Sequence, residues 1–485
     1  MQAQNLENGG RGGILNAQYN PERFSSLSKA AARYSIDMTH GPLFSRIVLF
    51  ALPLMATGML QLLFHATNMM VLGKFSSQQS LGAVGATASL CGLLINTSLG
   101  LAIGANVLIA NYIGSREWKK VSRTTHTALL LSLIVGGIVA VTGVLLSRQL
   151  LIWTKAPEDV IDLACIYMQI YFAAVPLNVV YNFGAAIMRG AGDTRRPLYY
   201  LIAAGAVNML LSLLFVIVFK WDVAGVAIAS GIGNLLAMVL VLRALHRAKE
   251  AWRLRFKHLR LDFPILKRML WIGLPAGLQS SCFSISNVII QSSVNSLGTA
   301  ILAGNTAGMT LEGIVYLASY AFHQTALSFV GQNFGAGKYE RLKRSVIYCT
   351  LFSFLIVSLF AWTVVLFQKP LLMLFMDEVN PVALESGCTR ITIMLSVYGI
   401  CAAMDVFSGA LRGMGYSIQS ACITVFCVCV VRVGWVFWVF PHYRTLENLV
   451  WSYPITWTMN TIASGALFAV LYHINRKRHT KAALS

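Results

Sequence analysis

Long runs of apolar residues, separated by short polar segments, follow one another from about residue 46 to about residue 473. A membrane core of roughly 30 Å needs about 20 apolar residues in a helix, and about twelve runs reach that length. We therefore predict an all-α integral membrane protein with twelve transmembrane helices. The predicted spans are 46–72, 82–110, 127–147, 163–187, 198–219, 223–242, 269–294, 300–330, 346–367, 384–411, 417–440 and 449–473.

The composition agrees with lipid as the main solvent of the chain. Of the 485 residues, 56% are hydrophobic and 12% are charged, and the mean hydropathy is +0.66. The charged fraction is about half of that in soluble domains. Most of the nine cysteines fall inside apolar spans and lack the spacing of metal ligands. We therefore expect buried thiols, with no disulfide, no metal site and no cofactor.

Lysine and arginine are concentrated in every second loop. A net charge of +20 could indicate a nucleic-acid partner, but the basic residues are not gathered on one domain. Their alternation is the positive-inside pattern, which predicts a multi-pass protein of the cell (inner) membrane with both termini in the cytoplasm. Its partner is then the lipid bilayer and not a nucleic acid. The basic segments are 116–123, 195–196, 243–268, 338–344 and 476–478.

Three short motifs of the first half recur in the second half. They lie in the same order, and the offset along the chain is nearly the same for all three. Such agreement indicates an internal duplication. The matches are positions 52–53 with 274–275, 109–114 with 330–335, and 188–192 with 411–415.

Each half contains an even number of spans, so both enter the membrane in the same sense and form parallel repeats. We predict two six-helix lobes around a central cavity, which opens to either side in turn. This architecture favours a monomeric transporter over a channel or an enzyme. The predicted segments are a mobile cytoplasmic tail (1–40), the N-terminal lobe (41–242), a basic cytoplasmic linker (243–268), the C-terminal lobe (269–474) and a cytoplasmic tail (475–485).

The motifs resemble those of the multidrug and toxic compound extrusion (MATE) family, bacterial type. The resemblance extends from about residue 40 to about residue 475. It implies a secondary active efflux antiporter that exports small amphipathic, cationic organic compounds in exchange for H⁺ or Na⁺. The stretches that carry it are 52–53 with Gln61 and Gly73, 188–194 (MRGAGDT), 330–337 (VGQNFGAG) and 411–415 (LRGMG).

The first span departs from the family pattern at one position. Members commonly carry an aspartate about five residues before the glycine that ends this span, whereas here Asn68 precedes Gly73. An amide cannot release a proton near neutral pH. We therefore expect ion coupling to reside in the second lobe.

Two carboxylates lie inside predicted spans, where an ionisable group is costly and marks a functional site. Asp405 lies seven residues before Arg412, and Glu312 lies twelve residues after Ala300. These separations correspond to about 10 Å and about 18 Å along their helices. We predict that both carboxylates lie at similar depth and bind the coupling ion. The offset that relates the motif at 188–192 to that at 411–415 makes the neutral Asn182 the counterpart of Asp405 in the first lobe.

Further polar residues follow helical spacing and are predicted to line the substrate cavity or a helix interface. They form one stripe in the eighth span, one in the tenth with Asp405, and one in the first, with two additional asparagines in the fourth. The predicted cavity residues are Asn305, Tyr316 and His323; Tyr398; Gln61, His65 and Asn68; and Asn178 and Asn182. Arg432, in the eleventh span, is predicted to reach the outer interface or a backbone carbonyl.

Two other functions remain open. A flippase for lipid-linked saccharides would share the architecture but would need a strongly cationic cavity, and few basic residues occur within the predicted spans. A membrane-embedded transferase would need clustered acids to bind a metal. Asp377 and Glu378 are adjacent acids on a loop, but such a pair is weak evidence for a metal site, which favours transport over a transferase.

Overall fold

The computed structural model describes residues 34–154, 157–375 and 380–484. The predicted tail therefore lies mostly outside the described residues, as do Asp377 and Glu378. Within the described ranges the chain folds into helices and forms no strand. The all-α prediction is confirmed.

The helices reproduce the twelve predicted spans, most of them with longer ends. The tenth span is broken between α11 and α12, which bend by 49°. A π-helical segment, Leu214–Val218, extends α5, and another, Val425–Val430, joins α13 to α14. The helices are α1 Leu43–Phe75, α2 Gln78–Gly114, α3 Trp118–Trp153, α4 Ile161–Gly190, α5 Arg195–Leu213, α6 Asp222–Arg247, α7 Phe263–Asn295, α8 Thr299–Gly335, α9 Tyr339–Leu366, α10 Gln368–Met373, α11 Pro381–Leu395, α12 Tyr398–Gly413, α13 Ser417–Thr424, α14 Val431–Trp438 and α15 Leu446–Leu484.

Most spans are apolar enough to cross a membrane by themselves. Within the described residues eight helices meet that condition, and the α11–α12 pair makes a ninth. The remaining spans, α2, α7 and α8, are as long, with 37, 33 and 37 residues. They pack against one another where the two halves of the chain meet. Several of their polar side chains, such as Gln279, Asn305 and Gln332, are buried against protein, where hydrogen bonds can be satisfied that lipid could not satisfy.

Helix packing repeats between the two halves. In the first half α4 packs against α2, α3 and α6; in the second half the α11–α12 span packs against α8, α9 and α15. These helices are equivalent by their order in each repeat. The two six-helix repeats predicted from the sequence are therefore present in the fold.

The contact between α2 and α8 shows the symmetry most directly. A Cβ added to Gly114 would lie 2.0 Å from the backbone oxygen of Gln332, and one added to Gly335 would lie 2.0 Å from the backbone oxygen of Asn111. Gly335 is the counterpart of Gly114 in the duplicated motif, and Gln332 is the counterpart of Asn111. Each helix thus presents the same patch to the other, as across a two-fold axis.

Exchange of Gly335 for alanine should loosen this contact. The added Cβ would meet backbone atoms that cannot rotate away, so we expect a loss of about 1–3 kcal/mol, as in other overpacked sites. Thermal unfolding of the purified protein in detergent measures it. Gly313→Ala is the matched control, because a Cβ at that position in the same helix meets nothing within 4 Å. Equal unfolding temperatures for the two variants would contradict the close packing.

The ends of α2, α4, α8 and α12 form one face of the bundle, which we call the basic face because its loops carry the lysine and arginine clusters. In the described part of the chain, the hydrogen bonds between the two lobes lie on this face. Asn111 Nδ2 donates to the backbone oxygen of Gly413 at 3.1 Å, and Gln332 Nε2 donates to that of Gly190 at 2.9 Å. The lobes are therefore joined at the basic face.

A short segment before α1, residues 36–41, crosses the basic face. The backbone N–H of Ile36 donates to the oxygen of Gly192 in the first lobe at 2.9 Å. In the second lobe, Asn333 Nδ2 and Arg341 Nε donate to the backbone oxygen of Met38 at 3.2 and 2.9 Å. The segment thus holds both lobes at once, with the Met38 side chain fully buried beneath it.

Apolar side chains form two core clusters, one in each lobe. Each cluster also includes the beginning of one helix that belongs to the other half of the sequence. The start of α1, from Leu43 to Met55, packs in the cluster of the second lobe. The start of α7, from Ile265 to Ile272, packs in the cluster of the first lobe. The two lobes therefore exchange these helical segments.

Candidate functional site

Asp405 lies on α12, half-buried, with its side chain directed at α8. Its Oδ2 accepts a hydrogen bond from Ser319 Oγ at 2.7 Å. His323 Nδ1 donates to the backbone oxygen of Asp405 at 2.8 Å, which places the ring proton on Nδ1. Among the described residues no cationic group forms an ion pair with this carboxylate. Arg412, seven residues further along α12, forms no ion pair with the carboxylate and acts on it electrostatically at longer range.

Glu312, on α8, is in contrast fully engaged. Its Oε2 lies 2.6 Å from Arg390 Nη2, and its Oε1 accepts a hydrogen bond from the Tyr398 hydroxyl at 3.4 Å. Arg390 also donates to Asn305 Oδ1 at 3.0 Å. The guanidinium of Arg390 lies 5.4 Å from the ring centre of Tyr453. This network compensates the charge of Glu312 inside the lobe.

The two carboxylates do not lie at one depth, so that prediction is wrong. Ser319, the partner of Asp405, follows Glu312 by seven residues on α8. Glu312 is therefore about 10 Å nearer the face opposite the basic face. The sequence estimate failed because α8 spans 37 residues and extends beyond a hydrocarbon core, so that depth cannot be counted from one helix end.

The interior holds three arginines, of which the sequence prediction overlooked one, Arg390. Arg390, Arg412 and Arg432 are buried, with 4%, 5% and 3% of their surface exposed. Arg432 was predicted to reach the outer interface or a backbone carbonyl, but among the described residues it donates to no carbonyl. It is buried, donates from Nε to Thr456 Oγ1 at 3.1 Å and lies 3.9 Å from the ring centre of Tyr453. Few basic residues occur within the predicted spans, yet three arginines are buried in the described interior. An arginine inside the predicted span 384–411 was the available signal.

The polar residues of the first lobe form neutral networks. Asn68 Nδ2 donates to Ser230 Oγ at 3.2 Å, and Asn68 Oδ1 accepts from Ser212 Oγ at the same distance. Separately, Asn182 Nδ2 donates to Asn178 Oδ1 at 2.8 Å. Asn68 therefore occupies the interior of the lobe as an amide whose oxygen and nitrogen are both bonded.

The predicted cavity residues separate into exposed and buried groups. Gln61 and His65 are exposed, and neither forms a hydrogen bond with the residues that the structure describes. Tyr316 is 41% exposed and interacts electrostatically with Asp405. Asn305, His323 and Tyr398 are instead buried between helices of the second lobe. The structure thus brings Tyr316, His323 and Asp405 together, and Asn305 and Tyr398 around Glu312.

Asp405 is the carboxylate that can still bind a further group. A half-buried carboxylate that accepts one hydroxyl hydrogen bond has further lone pairs for a proton, a metal cation or an organic cation. The charge of Glu312, in contrast, is already compensated by its ion pair with Arg390. His323 donates to the α12 backbone, which orients α12 against α8, and its ring is buried.

A family model described as MatE matches residues 53–214 and 275–438, one segment in each lobe. Among curated proteins, the chain is 25% identical to the "Probable multidrug resistance protein YoeA" of Bacillus subtilis over 423 residues, 85% of this chain and 91% of that protein. It is 24% identical to the "FAD transporter" of Shewanella oneidensis over 354 residues, 72% of this chain and 77% of that protein.

Solved structures share the fold. The crystal structure of "MATE in complex with MaL6" superposes with a TM-score of 0.84 at 21% sequence identity. The match covers 91% of this chain and 98% of that one. The chain thus shares its fold with this solved structure.

Proposed function

The chain belongs to the MatE family of bacterial MATE transporters, and from this premise we propose that it is a secondary active antiporter that exports small amphipathic, cationic organic compounds in exchange for H⁺ or Na⁺. Support for export comes from relatives named as multidrug resistance proteins, and support for ion coupling comes from the unpaired carboxylate of Asp405. The protein acts as a monomer in the cell (inner) membrane, with both termini in the cytoplasm.

In the proposed mechanism Asp405 binds cargo and coupling ion in turn. An organic cation approaches from the cavity past the exposed Tyr316, whose ring offers an aromatic face to it. A proton or sodium ion neutralises the same carboxylate and displaces the cargo. Because a ligand shifts a conformational equilibrium only through its differential affinity, the two ligands must favour different arrangements of the lobes.

Other predicted residues assist Asp405 in ion coupling and cargo binding. Glu312 is a second ion-coupling group, which responds only when its contact with Arg390 loosens. In the first lobe, Gln61 and His65 offer polar contacts to cargo from α1, and Asn68, Asn178 and Asn182 keep that lobe neutral. The relatives described above do not favour the saccharide flippase.

Transport by the full chain in proteoliposomes tests the proposal. With a pH gradient imposed, a fluorescent organic cation should dissipate the gradient, and in the reverse arrangement the gradient should drive accumulation of the cation. A parallel series uses a sodium gradient at equal pH on both sides. Empty liposomes and liposomes treated with an ionophore are the controls. Cation flux that ignores both gradients would overturn antiport.

A further inference from the structure

The segment before α1, residues 34–41, breaks the symmetry between the two lobes, and we call it the clasp. The mechanism proposed above gives it no part. Three side chains of the second lobe donate hydrogen bonds to its backbone oxygens. Arg341 donates from all three of its side-chain nitrogens at 2.6 to 2.9 Å, Asn333 from Nδ2 at 3.2 Å and Lys338 from Nζ at 3.0 Å. The clasp is therefore anchored firmly to the second lobe.

The core of the second lobe also includes the clasp. Met38 is fully buried in the apolar cluster of that lobe, where it joins Leu43 and Ile47 from the start of α1. Withdrawing such a side chain would expose apolar surface and leave the guanidinium of Arg341 without its acceptors. When the lobes move against each other, the clasp therefore moves with the second lobe.

The near end of the clasp touches the first lobe. The backbone N–H of Ile36 donates to the backbone oxygen of Gly192 at 2.9 Å, and the ring of Tyr34 has its centre 5.7 Å from the guanidinium carbon of Arg196. A neutral hydrogen bond and a cation–π contact are weaker than the anchoring to the second lobe. This end is therefore the one that separates when the lobes part at the basic face.

A pair of equivalent glycines shows that only one lobe is covered in this way. Gly192 and its counterpart Gly415 end the duplicated motifs in the same left-handed turn, with φ of +96° and +90°. A Cβ added to Gly192 would lie 2.4 Å from the backbone oxygen of Ile36, whereas one added to Gly415 would meet nothing within 4 Å. The clasp thus packs on the turn of the first lobe, and the equivalent turn of the second lobe is open.

The next contact of the same motifs is symmetric. Thr194 Oγ1 donates to the backbone oxygen of Phe50 in α1 at 3.2 Å, and Ser417 Oγ donates to that of Ile272 in α7 at 2.6 Å. Both the donors and the acceptors are related by the offset of the duplication, 223 and 222 residues. The repeats therefore match at this contact, and the clasp is an addition to the duplicated design.

The counterpart of the clasp in the second repeat does not bridge the lobes. The same offset of 222 residues leads to 256–263, at the end of the basic linker. There the backbone N–H of Asp262 donates to Thr127 Oγ1 of α3 at 3.1 Å, and Asp262 Oδ2 lies 3.4 Å from Arg123 Nη1. Among the described residues no hydrogen bond joins 256–263 to the second lobe. This segment therefore stays on the first lobe, whose core also includes the start of α7.

We propose that the clasp is a conformational device that travels with the second lobe, closes on the first lobe at Gly192 and stabilises the arrangement in which the basic face is closed. Opening of the basic face requires Ile36 to leave Gly192. This inference rests on the alternating access of the proposed transporter, but it is independent of the cargo and of the coupling ion.

The two equivalent glycines provide a matched test. Gly192→Ala and Gly415→Ala place the same side chain in the same left-handed backbone, but only the first pushes against the clasp. Nitroxide labels on encoded unnatural amino acids at the exposed Lys119 of α3 and Lys343 of α9 measure the separation of the lobes in the detergent-purified full chain. Gly192→Ala should raise the ratio of long to short distances about tenfold, and Gly415→Ala should leave it unchanged. Equal distance distributions in the two variants would overturn the clasp.

A pair of truncations keeps the test valid if Gly192→Ala does not fold. Removal of residues 2–36 takes away both contacts with the first lobe but leaves Met38 and the acceptors of Arg341 in place. Removal of residues 2–33 is the control, because it retains Tyr34 and Ile36. Monodisperse elution in gel filtration shows that each variant is folded. The shorter chain should show the longer distances and the control the native ones; no difference between them would refute the proposal.

Failure of the clasp and failure of antiport give different results. The distance measurement needs neither cargo nor an ion gradient, whereas antiport is measured as cation flux in proteoliposomes. Longer distances in Gly192→Ala in a protein that transports no cation would support the clasp and count against antiport. Gradient-driven cation flux in the native protein, with unchanged distances in Gly192→Ala and in the shorter truncation, would refute the clasp alone.

Discussion

Asp405→Asn should abolish the exchange of organic cations for protons or sodium ions in proteoliposomes. The change removes a half-buried carboxylate in the middle of a span that, among the described residues, is not held in an ion pair. A hydrogen bond to a charged partner contributes about 1.5–3 kcal/mol, which corresponds to a loss of about 10- to 100-fold in the affinity for a cation. Initial rates of gradient-driven cation uptake measure the effect.

The fold should tolerate this change. The amide oxygen of asparagine can still accept the hydrogen bond from Ser319 Oγ, and Asn182 shows that an amide fits the equivalent place in the first lobe. Glu340→Gln is the matched control, since it also neutralises one carboxylate but lies 61% exposed on the basic face beside Arg476. Uptake by Asp405→Asn within about twofold of the control, a difference of only about 0.4 kcal/mol, would place the coupling ion elsewhere.

The second large effect concerns stability. Glu312→Gln should destabilise the protein by about 3–5 kcal/mol, because it leaves the guanidinium of Arg390 buried without its anion. The two side chains are only 17% and 5% exposed, so solvent cannot take over the interaction. Denaturation of the purified protein in detergent, followed by tryptophan fluorescence, measures the loss.

A double exchange distinguishes a structural ion pair from a coupling site. Replacing both members by apolar residues of similar volume, Glu312→Leu with Arg390→Met, should recover most of the lost stability, because no charge is then left unpaired. If the stable double variant still couples cation uptake to a gradient, Glu312 serves structure alone. If coupling is lost while stability returns, Glu312 also binds the ion, as proposed above.

The sequence was sufficient for the fold because lipid simplifies the pattern. Runs of about 20 apolar residues can hardly form anything but spans. The repeated motifs then located the symmetry. The motif keeps a glycine in both repeats, Gly114 and Gly335, because each lies against the backbone of the other repeat, where a side chain would not fit. The ends of the helices were underestimated, since α3 extends to Trp118 and α15 to Leu484, into regions where the hydrophobic signal stops but the helix continues.

The site was less predictable than the fold. Asp405 and Glu312 were found because charged residues are rare in apolar spans, but their different environments depend on Arg390 and Ser319, which lie 78 and 86 residues away along the chain. Helical spacing cannot reveal such pairings between helices. The same limit explains why the asparagines of the first lobe were recognised singly, whereas their mutual hydrogen bonds became visible only in the fold.

The exchanged beginnings of α1 and α7 have a consequence for how the molecule assembles. Were the two halves separate chains, this arrangement would be a domain-swapped dimer, in which each protomer completes its core with a segment of its partner. Neither half can therefore bury its apolar residues alone, since the first half lacks Ile265 to Ile272 and the second lacks Leu43 to Met55. During synthesis the first half must wait for α7, which makes the folding of the two lobes a single cooperative event.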